Sequence, residues 1–437
     1  MKYAEHIYEI INAFSPAPLQ MDQMDEFYCK DTMEYRTSDK YNSPIEDIFD
    51  SCRNPEKSTA FLLLGHRGCG KSTELNKMSQ KLISQGYCVK TVACGIDLDL
   101  FNIVYSDLFI LMGEALVEIA DNLKCKIDKN ILNDMIDFWS EGIETVTTQE
   151  FGSIASEAGV SVNNGGFFSG ILNIFAKIKT DLKFNEEVRK EYRRKISVRS
   201  SEWIQILGHI SEEIARNTEG KRPIIIFEDL DKLNPEDAWK VFYNYAAMLS
   251  GMKFPVIYTF PIGLSYDARF SAMDSYFESR TLPMIKIETI ENRPFDDGVA
   301  IIREIVKKRA KLELFEEHVL QTLIHDTGGS LRDLFHVINA SAKRAERRDS
   351  QTVSMEDAER ALEELKTSLT RRIEEKDYQF LLNIYNGNKE RIEDKAMLLK
   401  MLQASVVLEY NGKRWHNVHP LVVKFFKEQG LIRDGGE

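Results

Sequence analysis

Residues 65–75 read Gly-His-Arg-Gly-Cys-Gly-Lys-Ser-Thr-Glu-Leu, behind the apolar run Thr59-Ala60-Phe61-Leu62-Leu63-Leu64 and ahead of a stretch with helical spacing. No other segment restricts the fold as strongly. Gly65, four further residues, then Gly70, Lys71 and Ser72 complete a phosphate-loop pattern, which has meaning only between a strand and a helix. Glycines at 65, 68 and 70 let backbone N–H groups turn inward without Cβ clashes, making a nest for phosphates at the positive end of the next helix. Lys71 is placed to reach the β and γ phosphates of a nucleoside triphosphate, and the Ser72 hydroxyl to ligate Mg2+. The predicted cradle is Gly65, His66, Arg67, Gly68, Cys69, Gly70, Lys71, Ser72 and Thr73; at Cys69 the geometry asks only for a small side chain.

A phosphate loop needs acids across the crevice. At 223–232 the chain reads Pro-Ile-Ile-Ile-Phe-Glu-Asp-Leu-Asp-Lys. Ile224 to Phe227 suit a fully buried parallel strand whose carboxyl end meets the nucleotide. By position, Glu228 is the metal carboxylate and Asp229 the group that orients and deprotonates the attacking water. The commoner order is aspartate then glutamate, so the roles stay open to exchange, with Asp231 a substitute for either. A helix is expected to start near Asn234-Pro235.

Further strands are predicted over 87–97, 255–263 and 284–290, the last being Met-Ile-Lys-Ile-Glu-Thr-Ile. Strands alternating with helices specify a parallel α/β sheet. Lys71 and Glu228 are too far apart for one strand and two helices, so about 126–221 is read as a mostly helical insertion. Within it, 165–178 forms an amphipathic helix, 159–166 an irregular turn, and the basic tract 189–199 a solvated helix face.

The formal net charge of -12 repels nucleic acid and anionic lipid at long range, although a local basic patch can bind either. Six cysteines are scattered without a CxxC pair or metal spacing, which predicts reduced thiols in a cytoplasmic protein. The first residues lack a basic leader and a long apolar core, and no stretch has the ~20 apolar residues a membrane span requires.

The order of phosphate loop, acidic strand end, polar strand end at "VIYT", arginine-bearing helix and "TGGSLRDLF" (327–335) resembles the AAA+ ATPases, in particular the group of Orc/Cdc6-type initiators and STAND signalling ATPases. The resemblance spans about 58 to the C-terminus, apart from the insertion. "FEDLDK" also resembles KAP-type P-loop ATPases, which carry transmembrane insertions not found in this sequence. The AAA+ likeness implies a Mg2+-dependent ATPase. It implies that Thr259 is a sensor for the attacking water or γ-phosphate, that Arg332 reaches the γ-phosphate from a lid, and that Arg280 is a finger acting on a neighbouring subunit, with Arg269 a weaker candidate.

The expected fold is therefore a P-loop parallel sheet sandwiched by helices, then a helical lid and a winged-helix domain. The boundaries are 1–57 for an N-terminal segment, 58–290 for the core, 291–366 for the lid and 367–437 for the winged helix. The lid is read as four helices, the last opened by a capping box at Ser354 and Asp357. The winged helix is read from two helical segments and a hairpin turning at Asn411-Gly412. The family likeness implies an oligomeric ATP-operated switch or assembly ATPase controlling a partner protein, in a setting such as antiviral defence or signalling. Its alternative is an initiator or loader whose winged helix grips duplex DNA; only Lys413 and Arg414 mark the wing tip, which favours the first.

Overall fold

The computed structural model describes residues 1–30, 32–37, 43–54, 59–140, 164–387, 389–410 and 414–432. Strands β1 (Ala60–Gly65), β2 (Val89–Ala93), β3 (Ile224–Glu228), β4 (Val256–Pro261) and β5 (Glu278–Thr281) form one parallel sheet in the order β2-β3-β4-β1-β5. The central strands β1, β3 and β4 are apolar along nearly their whole length because both of their faces are covered. Alternation divides them cleanly: Phe61, Leu63, Ile224 and Ile226 enter one core, while Leu62, Leu64, Ile225 and Phe227 enter the other.

Helices of six residues or more are numbered here in chain order. On the first face lie α1 (Thr32–Thr37), α2 (Pro44–Arg53) and α3 (Lys71–Ser84), the last starting directly from the phosphate loop. On the second face lie α4 (Tyr105–Asn122), α5 (Lys129–Ser140), α6 (Asn164–Phe184), α7 (Glu186–Val198) and α8 (Ser200–Asn217). These helices share the sheet's core through Phe138, Trp139, Phe175, Tyr192 and Trp203. The Trp203 indole N–H donates to the Phe109 carbonyl at 2.9 Å, so its one polar group is satisfied in the interior.

The amphipathic helix expected at 165–178 is the body of α6. Of the turn expected at 159–166, residues 159–163 lie outside the described residues, and Asn164 to Gly166 already belong to α6. The basic tract is only in part the solvated face expected of it. Arg189 is buried and donates to Leu182 O of α6 at 3.1 Å, and Lys195 is buried over the Phe138 ring of α5. Arg193 pairs with the buried Asp107 of α4 at 2.6 Å, while Lys190 and Arg194 stay exposed. Tyr192 and Ile196 explain the difference, because their helical spacing turns that side of α7 into the core.

The last core strand also differs from expectation. The β5 ladder pairs Phe61–Leu64 with Glu278–Thr281, and residues 284–290 form no strand. Leu282 still donates to Leu64 at 2.8 Å, but β1 then turns into the phosphate loop and Pro283 has no N–H to continue the ladder. Met284, Ile285 and Ile287 are buried instead in cores formed with helices and the C-terminal hairpin.

Four helices follow as expected: α9 (Asp296–Lys307), α10 (Val319–Asp326), α11 (Leu331–Arg347) and α12 (Met355–Thr370). The Ser354–Asp357 capping box opens α12. Next come α13 (Tyr378–Asn386), α14 (Lys395–Gln403), the antiparallel pair β6 (Val407–Tyr410) and β7 (Trp415–Val418), and α15 (Pro420–Glu428). The expected turn at Asn411-Gly412, with Lys413, lies outside the described residues. Both strands of this hairpin are buried. Leu408, Tyr410 and Trp415 join Phe61, Leu63 and Cys69 in the core on the first face of the sheet.

Candidate functional site

A cavity of about 1320 Å3 opens at the carboxyl end of the sheet, the position at which parallel α/β sheets bind ligands. Gly68, Gly70, Lys71, Ser72 and Thr73 line it on one side, Glu228, Asp229 and Asp231 on another, and Arg332 from α11 on a third. The loop and acids recognised in sequence are therefore brought together.

Lys71 is buried at 6% exposure, and its ammonium is held by three oxygens: Gly65 O at 2.8 Å, His66 O at 2.9 Å and Asp231 Oδ2 at 2.8 Å. Burial works against the lysine charge, but Asp231 outweighs it and the pKa is raised. Burial likewise opposes the Asp231 charge, and Lys71 more than reverses that. The two form a charged pair at the bottom of the cavity.

Glu228 ends β3 next to Ser72, whose hydroxyl bonds to it. Burial, with Asp229 and Asp231 close by, pushes its carboxyl up to about 7, and the Ser72 bond only partly opposes this. Its Oε1 is buried without a hydrogen-bond partner among the described residues. A buried carboxylate oxygen left over beside a serine hydroxyl is a suitable donor pair for a hard cation. Asp229 follows in the left-handed region (φ 72°), and its Oδ2 accepts from the Gly95 N–H at 3.3 Å while Oδ1 pairs with Lys232 at 2.5 Å.

Thr259 lies beneath the acids, outside the cavity lining. Its Oγ1 accepts from Leu230 N–H at 3.1 Å and donates to Phe227 O at 3.3 Å, pinning the turn that carries Asp229. Arg332 stands against the phosphate loop: a Cβ on Gly68 (φ +86°) would come within 2.4 Å of its Cβ, so only glycine lets α11 approach this closely. At the turn before α11, a Cβ on Gly329 (φ +80°) would meet Ile285 O at 2.0 Å. Arg280 sits within β5 rather than ahead of the last strand, away from the cavity, and pairs with Asp47 at 2.9 Å and Glu278 at 2.5 Å. Arg269 is occupied by Asp267 at 2.7 Å and lies over the Trp239 ring.

The remaining loop residues face away from the ligand space. Arg67 donates to Lys232 O at 3.0 Å, tying the loop to the acidic turn. Cys69 is buried, as a small side chain there requires. His66, 1% exposed, accepts the Glu409 N–H at 2.8 Å on Nε2, and burial lowers its pKa to about 4. Glu409 is itself bonded by the Tyr266 hydroxyl at 2.6 Å, and Tyr410 donates to Gly328 O at 2.7 Å. The C-terminal hairpin thus touches both the phosphate loop and the turn before Arg332.

Sequence reasoning missed a further wall of the cavity, formed by Pro16 to Asp22, Phe27 to Cys29, Thr32 and Arg36. Leu19 N–H donates to Thr73 at 3.3 Å, Asn76 donates to Leu19 O at 2.9 Å, and the Tyr28 hydroxyl donates to Glu74 at 2.9 Å. The one available signal was the four-residue spacing of Thr32 and Arg36, which puts both on one helical face.

The profile of the KAP family P-loop domain matches residues 39–259. No curated protein matches the chain. Among solved structures, Cdc6p from Pyrobaculum aerophilum is similar at 14% identity over 96% of this chain and 98% of its own, with a TM-score of 0.37. The ORC2 protein of Aeropyrum pernix is similar at 10% identity over 89% and 92%, TM-score 0.38. The RuvB Holliday junction branch migration motor of Thermotoga maritima is similar at 8% identity over 92% and 97%, TM-score 0.38. No helix among the described residues is long and apolar enough to cross a membrane.

Proposed function

The chain belongs to the KAP family of P-loop domains, and from that premise we propose that it is a Mg2+-dependent ATPase whose nucleotide state sets the contacts of its C-terminal region with a partner protein. The observation carrying this reading is the hairpin's double attachment, with His66 of the phosphate loop bonded to Glu409 and Gly328, before the Arg332 helix, bonded to Tyr410. A change in the loop reaches the C-terminal region through the His66–Glu409 bond, and a change in the turn before Arg332 reaches it through the Gly328–Tyr410 bond.

In this reading, Lys71 exchanges Asp231 for phosphate oxygens and the loop N–H groups hold the rest of the phosphate chain. Ser72 and Glu228 are the residues that would hold Mg2+; when bound, the ion supplies charge neutralisation at the β and γ phosphates. Asp229, fixed by Gly95 and Lys232, takes the proton of the attacking water, and Thr259 acts as a positioning residue through the turn it pins. Arg332 serves the γ-phosphate from α11. Arg280 would act on a neighbouring subunit only after leaving Asp47 and Glu278. A protein partner is favoured over duplex DNA because the hairpin strands are buried against the sheet.

The test is turnover and nucleotide binding measured side by side. Asp229→Asn is expected to bind ATP and fail to hydrolyse it, and normal turnover in that variant rejects the base assignment. A specific activity that rises with protein concentration supports action in trans. Salt-sensitive binding of the protein to duplex DNA would instead support the initiator reading.

A further inference from the structure

The cavity contains a cation that no sequence motif announces. Arg36, on α1, is 1% exposed and forms no salt bridge among the described residues, although the buried Glu74 carboxylate is near enough to interact with its charge. Its Nη1 donates to Pro283 O at 2.6 Å. Its Nε has no partner among the described residues. Its Nη2 lies 3.4 Å from where a Cβ on Gly70 would sit, at the N-terminus of α3, and the residue lines the cavity together with Lys71 and Ser72.

A buried guanidinium lacking a bound carboxylate is expensive unless an anion completes its coordination. The surroundings hold it in place without using it up. Tyr28 and Thr32 bond Glu74 on α3, which fastens α1 beside the phosphate loop, and Pro283 O fixes one arm of the fork. The remaining arm faces Gly70. Guanidinium is suited to this task because its planar donors match phosphate oxygens.

We propose that Arg36 is a phosphate-binding residue of the nucleotide site, donating from Nη2 to the phosphate chain of a nucleoside di- or triphosphate held over Gly70. The inference rests on the nucleotide-binding reading above and adds to it a residue outside the segment matched by the family profile. It also gives the N-terminal wall a chemical role, since α1 is where this cation is carried.

The experiment compares wild type, Lys71→Ala, Arg36→Gln and Arg36→Lys in the full chain. It measures binding of fluorescent ATP and ADP analogues, and thermal unfolding with and without nucleotide. Arg36→Gln is expected to weaken both nucleotides roughly 10- to 100-fold, the loss of one hydrogen bond to a charged group. Its unfolding temperature without nucleotide is expected to stay near that of wild type, and Arg36→Lys is expected to recover part of the affinity. Affinity in Arg36→Gln equal to wild type overturns the inference. So does a fall in nucleotide-free unfolding temperature with no recovery in Arg36→Lys, which identifies a purely structural residue. Failure of wild type to bind any nucleotide above Lys71→Ala defeats the nucleotide reading itself, a separate outcome.

Discussion

The phosphate loop has two sides that are finished to different degrees. On the ligand side, Lys71 is paired with Asp231, Glu228 keeps an unpartnered oxygen, and Arg36 has a donor arm facing Gly70. On the hairpin side, His66 is neutral, buried and bonded to a backbone N–H, and its neighbourhood of Glu409, Tyr266 and His416 is linked by further hydrogen bonds. One side holds charged groups that can exchange partners; the other is a completed joint. A loop built this way exchanges contacts on one side while transmitting its position from the other.

The sharpest way to break that comparison is Lys71→Ala. The variant removes the principal phosphate charge and leaves Asp231 buried without its cation. Nucleotide binding is expected to fall below detection in a fluorescence titration, the largest effect among these variants. The hairpin joint is expected to survive, so protease sensitivity of the C-terminal region should match that of nucleotide-free wild type. Retained nucleotide binding would show that Lys71 and Asp231 are a structural pair only.

His66→Ala probes the other side. It leaves the Glu409 N–H buried without an acceptor, a loss of about 1–3 kcal/mol in unfolding free energy. Nucleotide affinity is expected to change little, whereas the protection that nucleotide gives the C-terminal region against proteolysis is expected to diminish. Loss of affinity as deep as in Lys71→Ala would show that the two sides are not separate.

The ligand side was legible in the sequence because its chemistry is local. A nest of N–H groups needs glycines at fixed spacing, and acids at the end of an apolar strand need only that strand to be parallel and buried. The hairpin joint was not legible. His66 and Glu409 are 343 residues apart, and their bond depends on the hairpin's burial against the sheet, which neither local stretch encodes. Arg36 escaped for a similar reason, since a lone arginine on a six-residue helix acquires meaning only when α1 docks beside Gly70. The strand expected at 284–290 failed because an apolar run reports burial and not pairing; the ladder had ended at Pro283. The basic tract at 189–199 showed the same limit, as composition alone did not reveal that Tyr192 and Ile196 turn that helix inward. The four helices of 296–370 were readable because their caps and apolar spacing are contained within each helix.

Per pH unit, the smallest expected effect separates the two sides by the sign of their pH dependence. Glu228 has a folded pKa of about 7 against an ordinary value of 4.5, so the folded state holds a proton that the unfolded chain releases between these values. Its contribution to stability is present below about pH 4.5 and declines as pH rises toward 7. His66 behaves oppositely, with a folded pKa of about 4 against 6.5, so the unfolded chain binds the proton first and stability declines as pH falls from 6.5 toward 4. Each slope is at most ~1.4 kcal/mol per pH unit. Whole-protein titration would mix them with other groups, so the measurement is a difference: denaturant unfolding of Glu228→Gln and His66→Gln against wild type, without nucleotide, across pH 4.5 to 7.5. Glu228→Gln is expected to gain stability relative to wild type as pH rises, because wild type must either keep a buried proton or bury a charge. His66→Gln is expected to gain relative to wild type as pH falls. Added Mg2+ and ATP should flatten the first difference, since the cation favours ionised Glu228, and leave the second unchanged, since nothing on the hairpin side meets the ligand. Parallel slopes in the two variants would place both groups in one electrostatic environment and remove the distinction between an exchangeable side and a fixed one.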